Sequence, residues 1–352
     1  MKKNIFIMGI GWHLCSSITL IHNGTLVYAA SEERFSRKKN DDNFPINAIK
    51  DALKQFNIKI NDIDYFAITS KAGPPASELI KSMSRWGVDD YLKQQNDYWY
   101  PRIVKKINNL DELKIMRNSY NLNNKYKKLL LKTFGNKKLD SRYQKKRKDF
   151  FAGILNVAKN KIYEIDHHTC HAYYSYYSSN FRNENVLSLT MDGYGDGCNA
   201  TISYFDRNGI FKNLHKFSNC NLARLYRYIT LLLGMKPNEH EYKVMGLAPY
   251  GERKNFLNRA YNLFSKTMYV SGIKFNYRTK PDDYYFWFKK KLDGMRFDQV
   301  AYGLQKYTEE IVKKWFYNCI KKFKIGNVVF SGGVSMNVKA NMEISKIKKI
   351  KK

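Results

Sequence analysis

The feature that most restricts what this 352-residue chain can fold into is a pattern that occurs twice. Residues 4–10 (Asn-Ile-Phe-Ile-Met-Gly-Ile) read as a buried strand, followed by a short polar turn at Gly11-Trp12-His13. Ile18–Ile21 reads as a second strand, and His22-Asn23-Gly24-Thr25 turns it into a third, Leu26–Ala30. Asn-Gly between apolar runs is a strong hairpin signal, because a two-residue type I′ turn needs positive φ at both central positions. The plan recurs as strand Val186–Met191, Gly-rich loop Asp192–Gly197, strand Ala200–Phe205, turn Arg207-Asn208-Gly209 and strand Ile210–Lys212. After Pro45 a helix is expected with Ile46, Ile49, Leu53 and Phe56 on one stripe, and further helices near 222–233 and 298–318. Ile63–Ile68 and Asn327–Phe330 read as additional strands. Residues 75–160 break the pattern: they are rich in Lys, Asn and Tyr, with helical pieces and little strand alternation.

Two β-loop-β-turn-β units, each leading into helices, resemble the paired subdomains of the actin-like (ASKHA, sugar kinase/acetate kinase) superfamily. That likeness implies an α/β fold with nucleotide phosphates in a cleft between the two loops. The expected organisation is a first actin-like subdomain over 1–74, a mostly helical basic insertion over 75–160 and a second subdomain over 161–352, truncated at its C-terminus.

Charge narrows the functional classes. There are 62 Lys+Arg against 31 Asp+Glu, a net charge of +31. Residues 101–150 hold 16 Lys/Arg and 4 Asp/Glu, and residues 311–352 hold 11 and 1. Such segments suit a polyanion footprint or simply solvated helix faces. Neither carries regular base-stacking aromatics or a nucleic-acid motif, so a nucleic-acid partner is not expected. No apolar run reaches the ~20 residues that cross a bilayer, so no membrane partner is expected. Five cysteines, with no C-x-x-C pair, do not make a disulfide framework or zinc ribbon, and a reducing cytoplasm is the expected compartment.

Chemistry concentrates in a few places. Asp166-His167-His168-Thr169-Cys170-His171 holds three of the seven histidines. On a helix His167 and His171 are i and i+4, so both imidazoles leave one face and can hold one metal ion. The zinc-protease pattern H-E-x-x-H is excluded, since His168 stands where its glutamate base belongs. The alternative is three histidines satisfied by hydrogen bonds at a helix end. In Asp192-Gly-Tyr-Gly-Asp-Gly, Gly193 and Gly195 would let main-chain N–H groups approach an anion while the carboxylates hold a cation; a plain hairpin turn is the alternative. Ser331-Gly332-Gly333 joins a strand to a helix, a place for phosphate or for close packing. His13, in the first loop, is either a general base or a surface histidine. Lys38 and Lys39 are an anion-binding cluster or a solvated run.

Taken together, Gly11-Trp12-His13, Glu32–Lys39, Asp166-His167-His168-x-x-His171-Ala172, Asp192–Gly197, Tyr242–Gly251 and Ser331–Asn337 occur in the order found in O-carbamoyltransferases of the NodU/CmcH type, which this chain resembles. The resemblance spans most of the chain outside 75–160. It implies a divalent metal, Fe(II) or similar, with His167 and His171 as ligands and Asp192 as a further one. It implies His13 as the base on an acceptor hydroxyl and Lys39 as an anion-binding residue. Gly193, Gly195, Lys243, Ser331, Gly332, Gly333 and Asn337 would line the nucleotide and carbamoyl phosphate side. The activity implied is transfer of a carbamoyl group from carbamoyl phosphate and ATP, through carbamoyl adenylate, to a hydroxyl of a sugar or natural product.

This sequence departs from the pattern at Leu14, where an Asp usually follows the histidine. The family pattern also continues past the Ser-Gly-Gly helix to a Gly-Asp segment and a YrdC-like domain that makes the adenylate. The expectation is therefore a fragment, one half of a split enzyme paired with a separate YrdC-like chain, or a remnant, without turnover by itself. A tRNA threonylcarbamoyl transferase-like enzyme and a non-catalytic binding subunit are the alternatives.

Overall fold

Asn23 (φ 49°) and Gly24 (φ 84°) both take the left-handed region, as a type I′ turn requires, and close the hairpin that organises the first sheet. In the computed structural model, which describes residues 4–120, 125–134, 139–252 and 257–351, that hairpin joins β2 (Ser17–His22) to β3 (Thr25–Ser31). It follows β1 (Phe6–Gly11). β4 (Tyr65–Thr69) and β5 (Ile162–Ile165) complete a sheet of order β3-β2-β1-β4-β5. The first three strands are antiparallel, β4 pairs parallel with β1, and β5 pairs parallel with β4.

The second sheet repeats this plan in the order β11-β6-β7-β8, from β6 (Val186–Gly195), β7 (Cys198–Phe205), β8 (Phe211–Phe217) and β11 (Val328–Ser331). Again three strands are antiparallel and the fourth, β11, joins the first of them in parallel. A separate hairpin, β9 (Met268–Ser271) with β10 (Lys274–Tyr277), had no alternation long enough to be read from sequence. The fold is thus the duplicated α/β actin-like arrangement.

The chain divides into two units, residues 1–90 with 108–167, and residues 91–107 with 168–352. Between β4 and β5 the described residues form helices and no strand, the longest being Leu139–Leu155. Residues 121–124 and 135–138 of the segment called a basic insertion lie outside the described residues. Residues 162–165, assigned from sequence to the second subdomain, contribute β5 to the first sheet.

In the first unit the helix Ile46–Gln55 buries Ala48, Ile49 and Ala52, while Ile46, Leu53 and Phe56 are only half-buried. The expected stripe is therefore rotated, because alanines set the close contact. The buried Glu32 carboxylate covers this helix's N-terminus, accepting N–H groups of Asn47 (3.1 Å) and Ala48 (3.0 Å). Buried Arg147 bonds the Thr69 carbonyl (2.8 Å), the Ser70 carbonyl and Glu164 (3.0 Å), tying together the ends of β4 and β5. Trp12 stacks on Phe150 at 6.0 Å and meets Phe44 edge-on at 5.3 Å. In the second unit the helix Phe297–Phe323 runs through an extensive apolar core, with Leu304, Val312, Trp315 and Phe316 buried against the sheet and neighbouring helices. Among the described residues no helix is long and apolar enough to cross a membrane.

Candidate metal centre

β6 and β11 run parallel and side by side, so their C-terminal ends fall together. β6 delivers Asp192 there, and β11 ends on Ser331-Gly332-Gly333. The helix His167–Tyr177 starts as expected at the histidine cluster, so His167 and His171 are one turn apart on it. The division between the units falls at the first residue of this helix. One ligand atom from each of His167, His171 and Asp192 lies within 4.8 Å of the other two, and all three residues are half-buried. His171 Nε2 is 3.0 Å from Asp192 Oδ2.

Main-chain donors hold the Asp192 side chain, and a hydroxyl donor holds the main chain at His171. Asp192 Oδ1 accepts the N–H of Gly193 at 2.7 Å and of Gly333 at 3.2 Å, which orients the carboxylate with Oδ2 toward His171. The buried Ser331 hydroxyl donates to the His171 carbonyl at 2.7 Å, joining the end of β11 to the histidine helix. The middle histidine, His168, is buried and faces elsewhere: Nδ1 lies 2.6 Å from Thr190 Oγ1 and Nε2 lies 3.2 Å from the Cys198 carbonyl. A carbonyl only accepts, so Nε2 carries the proton and Nδ1 accepts from Thr190, whose oxygen then accepts from Thr201 at 2.6 Å. The hydrogen-bonded reading of the histidine cluster therefore holds for His168, while His167 and His171 lie beside Asp192.

The donor set fits a divalent ion. Two imidazoles and one carboxylate form the set that non-haem Fe(II) takes with positions left open, and one that zinc accepts too. His171 Nε2 and Asp192 Oδ2 hydrogen-bond each other at 3.0 Å, which is also about the separation of two donors ~2.1 Å from one ion at a right angle. Because outer contacts that orient ligands typically change metal affinity 10- to 100-fold, Ser331→Ala is expected to weaken metal binding roughly tenfold. It should cost about 1 kcal/mol of stability. Competition with a chromophoric chelator, beside a urea titration, checks this; unchanged affinity with lowered stability would make the contact purely structural.

The Gly-rich segment differs from the expected loop. β6 continues to Gly195 through an irregularity after Met191, and a two-residue turn at Asp196 (φ 48°) and Gly197 (φ 87°) leads into β7. Gly193 gives its N–H to Asp192, as Gly333 does, so both amides serve the carboxylate rather than an external anion. Gly195 pairs with Cys198 in the hairpin. Asn337 is likewise used by the fold. Its Oδ1 caps the helix Val338–Ser345 by accepting the Ala340 N–H at 3.0 Å, and its amide exchanges two bonds with Gln305. Lys243 is exposed on the helix Glu241–Leu247, its Nζ 3.2 Å from His240 Nε2.

His13 and Lys39 belong to the first unit. Lys39 is exposed beyond the short helix Glu33–Ser36. His13 is half-buried in a turn where Leu14 (φ 25°) and Cys15 (φ 66°) occupy the left-handed region that non-glycine residues disfavour. Asp42 holds this turn: its carboxylate accepts the Cys15 N–H at 2.6 Å and its carbonyl accepts Trp12 Nε1 at 3.1 Å. Sequence reading missed Asp42, which is 27 positions from Cys15 with no local pattern linking the two.

The model of the carbamoyltransferase N-terminus matches residues 6–352. An uncharacterized protein of Synechocystis sp. is 28% identical over 95% of this chain and 51% of its own length. The nodulation protein NolNO of Sinorhizobium fredii is 26% identical over 66% of this chain and 27% of its own. Among solved structures, component A of the (R)-2-hydroxyglutaryl-CoA dehydratase of Acidaminococcus fermentans covers 99% of this chain and 90% of its own at 11% identity and a TM-score of 0.43. The chain spans about half the length of the first of these relatives. It belongs to the family defined by the N-terminal part of the carbamoyltransferases.

Proposed function

We propose that this chain carries the transfer site of an O-carbamoyltransferase, moving a carbamoyl group from carbamoyl adenylate to a hydroxyl of a sugar or natural product. The observation that carries the reading is the convergence of His167, His171 and Asp192 in a chain of this family. These three residues would hold the divalent ion, Fe(II) by preference, with Ser331 and Gly333 keeping them in register. When bound, the ion supplies positive charge that polarises a carbonyl or phosphate oxygen.

The chain's own residues would do the rest. In this reading His13 takes the proton of the acceptor hydroxyl as its oxygen bonds to the carbamoyl carbon, and the bond from that carbon to the AMP phosphate oxygen breaks. The left-handed backbone at Leu14 and Cys15 shapes the turn that carries His13. Exposed Lys39 and Lys243 would meet phosphate charge. ATP and carbamoyl phosphate are the proposed precursors, and a YrdC-like chain is the proposed source of the adenylate.

The test supplies preformed carbamoyl adenylate and a panel of sugar acceptors to the metal-loaded chain and follows acceptor-dependent AMP release. Release is expected to fall about 100- to 1000-fold in Asp192→Ala and at least roughly 100-fold in His13→Gln. Acceptor-dependent release that both variants retain in full would sink this assignment.

A further inference from the structure

The turn ahead of the helix Glu241–Leu247 fixes one imidazole in both tautomer and direction. The His240 N–H donates to the Lys236 carbonyl at 3.0 Å, and the Lys236 N–H donates back to His240 Nδ1 at 3.1 Å. A ring nitrogen that accepts carries no proton, so the imidazole holds its proton on Nε2 and that atom donates. Three residues on, the Lys243 N–H donates to the His240 carbonyl at 2.9 Å, and Nζ of Lys243 lies 3.2 Å from His240 Nε2. An ammonium has three donors and no acceptor. Two donors therefore face each other at hydrogen-bond distance, and neither can accept from the other.

The carboxylates on the same stretch of chain have other work. Glu241 is half-buried and accepts the Asn238 N–H at 2.7 Å, and Glu239 pairs with Lys236. Tyr242, 55% exposed, meets His240 edge-on at 6.3 Å, and the Lys243 ammonium lies 6.0 Å from the centre of the same ring. The two donors thus stand together beside an exposed aromatic side chain. What converging N–H groups need is an acceptor that takes from both. An oxyanion supplies it in the strongest form, since hydrogen bonds to an ionised acceptor are shorter and roughly twice as strong as neutral ones.

We propose that His240 Nε2 and Lys243 Nζ form a two-donor site for a phosphate oxyanion, which makes His240 a phosphate-binding residue. The inference rests on the reading of Lys243 as a phosphate contact and adds the imidazole that works with it. Phosphate suits the pair because a phosphate monoester carries close to two negative charges at neutral pH and three strong acceptor oxygens, enough to take both N–H groups at once. The imidazole is held for this before any ligand arrives: two bonds to the residue-236 peptide groups fix its orientation, so little ordering remains to be done on binding. A nucleotide, carbamoyl phosphate and inorganic phosphate all present the group.

The test titrates the metal-free chain with inorganic phosphate, AMP and adenosine, read by calorimetry and by nitrogen NMR of the imidazoles. His240 should show the Nε2–H tautomer, and phosphate and AMP, but not adenosine, should shift its Nε2 signal. Lys243→Met should weaken both anions about 10- to 100-fold with an unchanged urea midpoint. His240→Asn should do the same, since Asn keeps an acceptor for the Lys236 N–H and loses the outer donor; NMR on the unaltered chain decides the matter if that variant misfolds. AMP binding well above phosphate supports the proposal with a nucleotide as the source, and equal binding supports it with a free phosphate. An Nδ1–H tautomer, no binding of either anion, or binding that neither variant weakens would overturn it. Metal and acceptor are absent throughout, so such a failure leaves acceptor-dependent AMP release to be judged by itself, and failure of that release leaves this pair in place.

Discussion

Gly332→Ala is expected to lower stability by about 4 kcal/mol and to disable the metal centre in the molecules that still fold. Gly332 sits at φ 99°, ψ 169°, a region open essentially only to glycine, and forcing another residue there costs about 1–3 kcal/mol. A Cβ at this position would also lie 2.4 Å from the Met191 carbonyl oxygen, main chain in the middle of the sheet. Relieving that overlap means moving β11 away from β6, an overpacking cost of about 1–3 kcal/mol more. The same movement withdraws the Gly333 N–H from Asp192 Oδ1 and the Ser331 hydroxyl from His171. Urea unfolding of Gly332→Ala beside the unaltered chain is the measurement. A midpoint within error of the original would mean that the turn has slack which its φ and close contact deny.

The pair His167→Ala with His171→Ala is expected to reduce divalent metal affinity by well over 100-fold, because outer contacts alone are worth 10- to 100-fold and this pair removes two of three ligands. Elemental analysis of anaerobically prepared protein should find iron or zinc at about one ion per original chain and only background in the variant. The fold should survive, since both residues are half-buried and neither lies in an apolar core cluster. His168→Ala offers the contrast. It removes a buried acceptor from Thr190 and a donor from the Cys198 carbonyl, so it should cost about 2–3 kcal/mol of stability while sparing the two ligands. Equal metal in the original and the double variant would remove the site.

These two cases separate what the sequence carried from what it did not. Local rules made the duplicated units legible: Asn23-Gly24 has few other uses between apolar runs, and the i, i+4 spacing of His167 and His171 puts them on one helix face whatever the helix packs against. The family resemblance was legible for the same reason, since its motifs are short contiguous runs, and the match over 6–352 agrees with it. By contrast, nothing in the sequence distinguishes His168 from its neighbours. Its burial against Thr190 and Cys198 exists only because the histidine helix lies on β6 and β7. The work of Ser331, Gly333 and Asn337 was equally hidden. Their polar groups look available in a strand-Gly-Gly-helix string, and it takes the parallel pairing of β11 with β6 to turn two of them onto Asp192 and His171. Sequence by itself determined the principal strands, the Asn23-Gly24 turn and the main helices, because those choices depend on neighbours a few positions away, while the β9–β10 hairpin and the run of β6 to Gly195 left no such local signal. Only tertiary structure decided which hydrogen-bonding groups remain for a ligand, because a donor spent on a partner 141 or 160 positions distant leaves no trace near itself in the chain.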